Sequence, residues 1–187
     1  PELSLVERIS LQDFEPDGEA VDFEGLAEYA DLRTALRFRG LSIASGDGAR
    51  DAVIVGEPER TPRPSSRGRA VRSEEGETQL NVFFDYPRSH VGIDFNLASK
   101  ATKAVLTAYN ASGELIGQIV EPLDQLARSA TGHFIGLKIQ EESITRVTLK
   151  LDGVSAPVAI TRVLARPSVD QLQERNEELD DLIRDLE

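Results

Sequence analysis

Cysteine, methionine and tryptophan are all missing from the 187 residues, and lysine occurs only at positions 100, 103, 138 and 150. Without cysteine there is no disulfide framework, no thiolate metal site and no Cys nucleophile. That excludes a small disulfide-stapled fold and leaves cytoplasm, periplasm and cell surface all open. Long apolar runs are also missing: stretches such as Ala104-Val105-Leu106 fall far short of the roughly 20 residues a membrane helix needs. A net charge of −12 argues against nucleic acid, because phosphate binding relies on clustered Lys and Arg in surplus. The chain opens at Pro1 and holds no methionine, which reads as a processed or trimmed product, so the absence of a signal or anchor segment is uninformative.

What is present describes a globular protein: 40% apolar and 29% charged residues, enough for one sizeable domain. The acid is unevenly spread. After Pro167, eight Asp or Glu stand against Arg175 and Arg184, so half of the net negative charge sits in the last 20 residues. The chain therefore divides into a body, residues 1–166, and an acidic tail, residues 167–187.

The body reads in period two. In Gln79–Tyr86 the apolar residues Leu80, Val82 and Phe84 share one face, and in His90–Leu97 the same holds for Val91, Ile93, Phe95 and Leu97. Such alternation marks a strand with one buried face. Pro87-Arg88-Ser89 between them reads as a turn. Ala104–Tyr109 and Glu114–Val120 flank Asn110-Ala111-Ser112-Gly113 and predict a hairpin. Asn110-Ala111-Ser112 also matches a glycosylation acceptor, although Asn is expected in such a turn. Further strands are predicted at Phe134–Ile139, Ile144–Leu151 and Val158–Leu164, the second with a bend or bulge at its start, where the alternation slips. Earlier in the chain, Leu3–Leu11, Leu36–Ile43 and Ala52–Val55 read as strands and Phe23–Ala30 as a short helical turn. Residues 57–73, with three prolines and five arginines, read as a long exposed loop, an anionic-ligand patch being the alternative. Short strands at regular spacing, with turn signals between them, predict an all-β fold, an antiparallel β-sandwich or barrel, with a C-terminal α-helix.

The succession Phe84–Phe95, Leu106–Gly117, Gly132–Leu137 and Ile144–Leu149 resembles the exported β-sandwich modules of PEP-CTERM-type bacterial surface proteins, which are jelly-roll and galactose-binding-like in character. The matching features are strand, turn and glycine positions over residues 3 to 165. The resemblance implies an exported, non-catalytic module and no particular ligand. Members often close the last strand with an acidic pair after Ala-Ile, whereas Ala159-Ile160 is followed here by Thr161-Arg162. A calcium or ligand role tied to those acids does not carry over.

Candidate chemistry is sparse. Ser89, His90 and Asp94 supply the residue types of a hydrolytic triad, but strand neighbours alternate faces and are not expected to converge. His133 follows Gly132 at the start of another strand. A hydrolase would need a cleft where Asp or Glu residues converge. For calcium, Asp13 and Glu15 head an alternating acidic stretch, a structural calcium ion and a solvated acidic loop being the two readings. For a sugar, Tyr86 and Tyr109 adjoin turns and offer rings for stacking, edge-of-core packing being the other reading.

The tail carries the sharpest pattern. Ser168 is placed to cap a helix after Pro167, with Asp170 in its first turn. With Val169 at heptad position a, Asn176 and Ile183 follow at a, and Leu172, Leu179 and Leu186 fall at d. β-Branched residues at a, Leu at d and one Asn at a favour a parallel two-stranded coiled coil. Packing of the stripe on the sandwich is the alternative. The expected function is a binding or adhesion module, carbohydrate-binding and homodimeric through the helix; the alternative is a surface assembly protein without a small ligand.

Overall fold

The computed structural model describes residues 6–14, 18–23, 40–45, 50–51, 53–55, 70–73, 78–97, 101–123, 128–129, 132–153 and 158–186. In chain order these hold β1 (Glu7–Arg8), a 3-10 turn (Leu11–Phe14), β2 (Glu19–Asp22), β3 (Leu41–Ser45), β4 (Arg50–Asp51), β5 (Val53–Val55) and β6 (Ala70–Arg72). Then follow β7 (Gln79–Arg88), β8 (His90–Leu97), β9 (Lys103–Tyr109), β10 (Leu115–Pro122), β11 (Arg128–Ser129), β12 (Gly132–Lys138), β13 (Ile144–Asp152), β14 (Val158–Ala165) and helix α1 (Val169–Leu186).

The strands form two antiparallel sheets. The first runs β1-β12-β8-β14-β6-β5, with β11 added to β12 and β2 to β14; the second runs β10-β9-β13-β7-β3-β4. From β7 onward the chain passes repeatedly between the sheets, as in a jelly roll. The alternation explains why they stack. Leu80, Val82 and Phe84 of the second sheet face Val91, Ile93 and Phe95 of the first, and all six are buried in one core.

Several local expectations are redrawn. Pro87-Arg88-Ser89 is a corner between sheets: β7 runs through Pro87, Ile144 pairs with Arg88, and the chain bends only at Ser89. Within Leu3–Leu11 only Glu7–Arg8 pairs as a strand, and the chain then winds into the 3-10 turn. Ala70–Arg72, read as the end of a loop, is a strand, because Ala70 and Val71 are buried between β14 and β5. The expected irregularity at the start of β13 is present as a register shift between Ile144 and Arg146. The helical turn assigned to 23–30 and the loop assigned to 57–69 lie outside the described residues, apart from the buried Phe23.

The hairpin forms as expected. Asn110 Oδ1 accepts from the N–H groups of Ser112 and Glu114, each at 3.0 Å, and Gly113 takes φ +80°.

The outer face of the first sheet carries its own small core. Ile9 and Phe14 cover Phe134 and Leu164, the Phe14 and Phe134 rings meeting edge to face at 6.2 Å. Gly92 lies directly under Phe134, where a Cβ would come within 2.6 Å of the ring. Two ion pairs anchor edges and faces. Arg162 holds Asp94, which is fully buried, at 2.6 Å, and Arg8 of β1 reaches across to the buried Glu121 of β10, joining the two sheets at their margins.

Candidate functional site

The outer face of the second sheet is organised by register. Arg146 of β13 pairs with Phe83 of β7 on one side and Tyr109 of β9 on the other, and the row continues to Ser42 of β3 and Leu115 of β10. All five side chains take the alternation opposite to the core. Phe83, Arg146 and Tyr109 are half-buried and Leu115 is exposed. The guanidinium of Arg146 stands 4.0 Å from the Tyr109 ring centre and 6.0 Å from that of Phe83. A guanidinium stacked on a ring keeps its in-plane N–H groups for other partners.

A polar row follows. Gln118, Thr107, Thr148 and Asn81 lie abreast on β10, β9, β13 and β7. Gln118 Nε2 donates to Thr107 Oγ1 at 3.1 Å and Thr148 Oγ1 to Asn81 Oδ1 at 2.6 Å. Beyond them stand Val120, Val105, Lys150 and Gln79, with Gln79 Nε2 donating to Asn81 Oδ1 at 3.3 Å. The face is thus a band of rings and one guanidinium beside a band of amides and hydroxyls.

A second neighbourhood surrounds the root of α1. Tyr86 donates its hydroxyl to Glu174, which pushes the phenol pKa up, because the neighbouring carboxylate opposes ionisation. Arg175 holds Glu19 of β2 at 2.6 Å. Both carboxylate oxygens of Glu142 accept from the backbone N–H of Val169, at 3.0 and 3.1 Å, so a distant glutamate satisfies an orphan donor at the helix start. Arg88, buried, donates to the carbonyl of Arg166 at 3.0 Å and packs over Phe84. Beyond this root the helix leaves the body. Leu172, Leu179, Leu182, Ile183 and Leu186 are exposed, from 45% at Leu172 to 88% at Leu186, so the stripe is not laid on the sandwich. Asn176 is exposed among them.

The predicted residues therefore separate. Tyr109 joins the outer row; Tyr86, on the other alternation of β7, serves the helix root. Phe83 and Arg146 were missed, although the same period two that buries Val82, Phe84 and Val147 turns both outward. Asp13 accepts from the N–H and hydroxyl of Ser10, which holds its carboxyl below the usual range. Glu15 lies outside the described residues, and among the described residues no three His, Asp or Glu stand together as a metal-binding group.

Ser89 and His90 do meet, contrary to expectation: Ser89 Oγ lies 2.7 Å from His90 Nδ1, because Ser89 occupies the bend and not a strand. Asp94 stays with Arg162, so no triad is assembled from these three residues. Burial, with the cations of Arg166 and Lys138 nearby, holds the His90 pKa below its ordinary 6.5. His133 lies tilted against Phe95 at 5.7 Å.

No protein-family description and no curated protein matches the chain. Among solved structures it is similar to a fucose-binding module of Streptococcus pneumoniae, at 11% identity and a TM-score of 0.40 over 53% of this chain and 70% of that one. It is similar to a family 6 carbohydrate-binding module at 11% identity and a TM-score of 0.38, over 80% of this chain and 94% of that one. It is also similar to a family 89 glycoside hydrolase of Clostridium perfringens, at 13% identity and a TM-score of 0.44 over 71% of this chain and 14% of that one. At TM-scores below 0.5, these likenesses locate neither a site nor a ligand on this chain. No described helix is long and apolar enough to cross a membrane.

Proposed function

We propose that the chain is an exported, non-catalytic carbohydrate-binding module, and that α1 joins two copies of it. The row Tyr109–Arg146–Phe83 is the observation that carries the binding half. A sugar ring offers C–H groups on its face and hydroxyls at its rim. Half-exposed rings supply the apolar contact, and a flanking band of amide, hydroxyl and ammonium groups meets the hydroxyls. A face built on the three adjacent strands β9, β13 and β7 holds such groups in fixed positions. The test is a glycan array probed with the full chain, followed by calorimetry on any hit. Tyr109→Ala and Phe83→Ala are each expected to weaken binding by about tenfold, a loss of about 1.4 kcal/mol. Binding unchanged in both variants sinks this placement.

The exposed stripe of α1 supports the self-association half. In a parallel pair the apolar a and d positions form the seam, and Asn176 at a sets register. Arg175 at g then faces Asp180 at e of the second copy, while the other described acids of the helix fall at b, c or f and point away. The same stripe favours the second reading, an assembly protein without a small ligand. A dimer by light scattering with no glycan hit would select that reading.

A further inference from the structure

We infer that the ligand of the outer face is an acidic glycan, recognised through the carboxylate of a uronic acid by Arg146. The inference rests on the carbohydrate-binding reading and names the class of sugar. Three observations lead there.

Arg146 is a cation held by rings. Its guanidinium carbon stands over the Tyr109 ring at 4.0 Å and the Phe83 ring at 6.0 Å, and among the described residues no carboxylate stands in ion-pair contact with it. Stacking uses the π faces and leaves the N–H fork in the plane free to point outward. A carboxylate meets that fork with two parallel hydrogen bonds, an arrangement a hydroxyl cannot match.

The second observation is charge. In a chain of net charge −12, the rows of this face carry Arg146, Lys150 and Lys103 against Asp152, with Asp85 at the rim. Asp152 is shared by Lys103 at 3.3 Å and Lys150 at 3.7 Å. Among the described residues, Arg146 is left with no anion of its own. With charges screened over about 8 Å in physiological salt, a ligand senses this local surplus more than the net charge of the whole chain.

The third is spacing. Lys150 lies on the same face of β13, two pairs along from Arg146 with Thr148 between them, so the cations are separated by roughly 13 Å of strand. A polymer of charged sugar residues lying along β13 meets both, whereas a single small anion meets one.

The experiment is calorimetry of the full chain with an oligogalacturonate, with the same oligosaccharide fully methyl-esterified, and with a sulfated neutral polymer. Wild type is expected to bind the free acid at least tenfold tighter than the ester. Arg146→Gln is expected to erase about that tenfold preference, read as the ratio of acid to ester binding, and Arg146→Lys to restore only part of it, because an ammonium cannot form the paired hydrogen bonds. Equal binding of acid and ester, both weakened by Tyr109→Ala, would overturn the uronate assignment and leave the carbohydrate reading standing. Tighter binding of the sulfated polymer would overturn the carboxylate assignment in the same way. No binding to any of the three, with a change of oligomeric state in Arg146→Gln, would overturn both and make this face a contact for protein. The acid-against-ester comparison needs wild type alone, so it decides the point even if the Arg146 variants fail to fold.

Discussion

Arg88, His90 and Asp94 lie within seven residues of one another and experience three different environments. The Arg88 guanidinium is buried beside the carbonyl of Arg166 and over Phe84, and desolvation lowers its pKa. Truncation to Ala would open a cavity and free that carbonyl, at a cost of roughly 2–4 kcal/mol, whereas Met, of similar length and without a charge to bury, should cost under about 1.5 kcal/mol. Urea melts of the two variants check the difference. For His90, burial and the nearby cations of Arg166 and Lys138 lower the pKa. Because its folded pKa is depressed, the unfolded chain takes up a proton more readily, so stability is intact above about pH 6.5 and falls as pH drops through the lowered value. Denaturation at pH 7.5 and pH 5.5 should show a smaller acid loss in His90→Gln than in wild type. Period two made the inward residues of β7, β8 and β13 legible in the sequence, and read with the other parity it also places Phe83 and Arg146 outside. What it could not give is the pairing of β13 between β7 and β9, since that register arises from contacts more than 30 residues apart. Nor could it give the meeting of Ser89 with His90, which depends on a bend and not on an alternation.

At the scale of elements, α1 is the segment with two kinds of end. Its start is fastened by Glu142 to Val169, Glu174 to Tyr86 and Arg175 to Glu19; its distal turns stand exposed. Beyond its tethers at Val169, Glu174 and Arg175 the helix continues only over 176–186, shorter than the roughly 12–15 residues below which an isolated helix is marginal in water, so the distal turns should persist mainly when a second copy covers Leu179, Ile183 and Leu186. Hydrogen exchange should therefore slow in the distal turns with rising protein concentration. The Glu142→Ala variant should speed exchange severalfold in the first turn alone. The double substitution Leu179→Asp with Ile183→Asp should abolish any dimer seen by light scattering while leaving the melting of the sandwich unchanged. The helix and its stripe were legible because heptad spacing is local. That the stripe faces away from the sandwich was not, because it follows from the tethers Glu19, Tyr86 and Glu142, all distant in sequence.

For the whole molecule, the two sheets differ in what covers their outer faces. The first carries the 3-10 turn, with Phe14 over Phe134, and its Gly92 leaves room for that ring; Gly92→Ala should cost about 1–3 kcal/mol through the clash, measurable by thermal melting. The second exposes the row built on Arg146. The body thus holds one face closed by its own chain and one furnished with rings, amides and cations, and the helix root lies on a separate alternation from that furnished face. Whether this second face receives a glycan is decided at single-residue level by heteronuclear NMR of the full chain titrated with an oligogalacturonate. Shifts are expected to concentrate at Phe83, Tyr109, Arg146, Thr148 and Lys150, with Tyr86 and Glu174 unmoved. Shifts confined to the helix root, or none at any ligand concentration, would rule the uronate off this face.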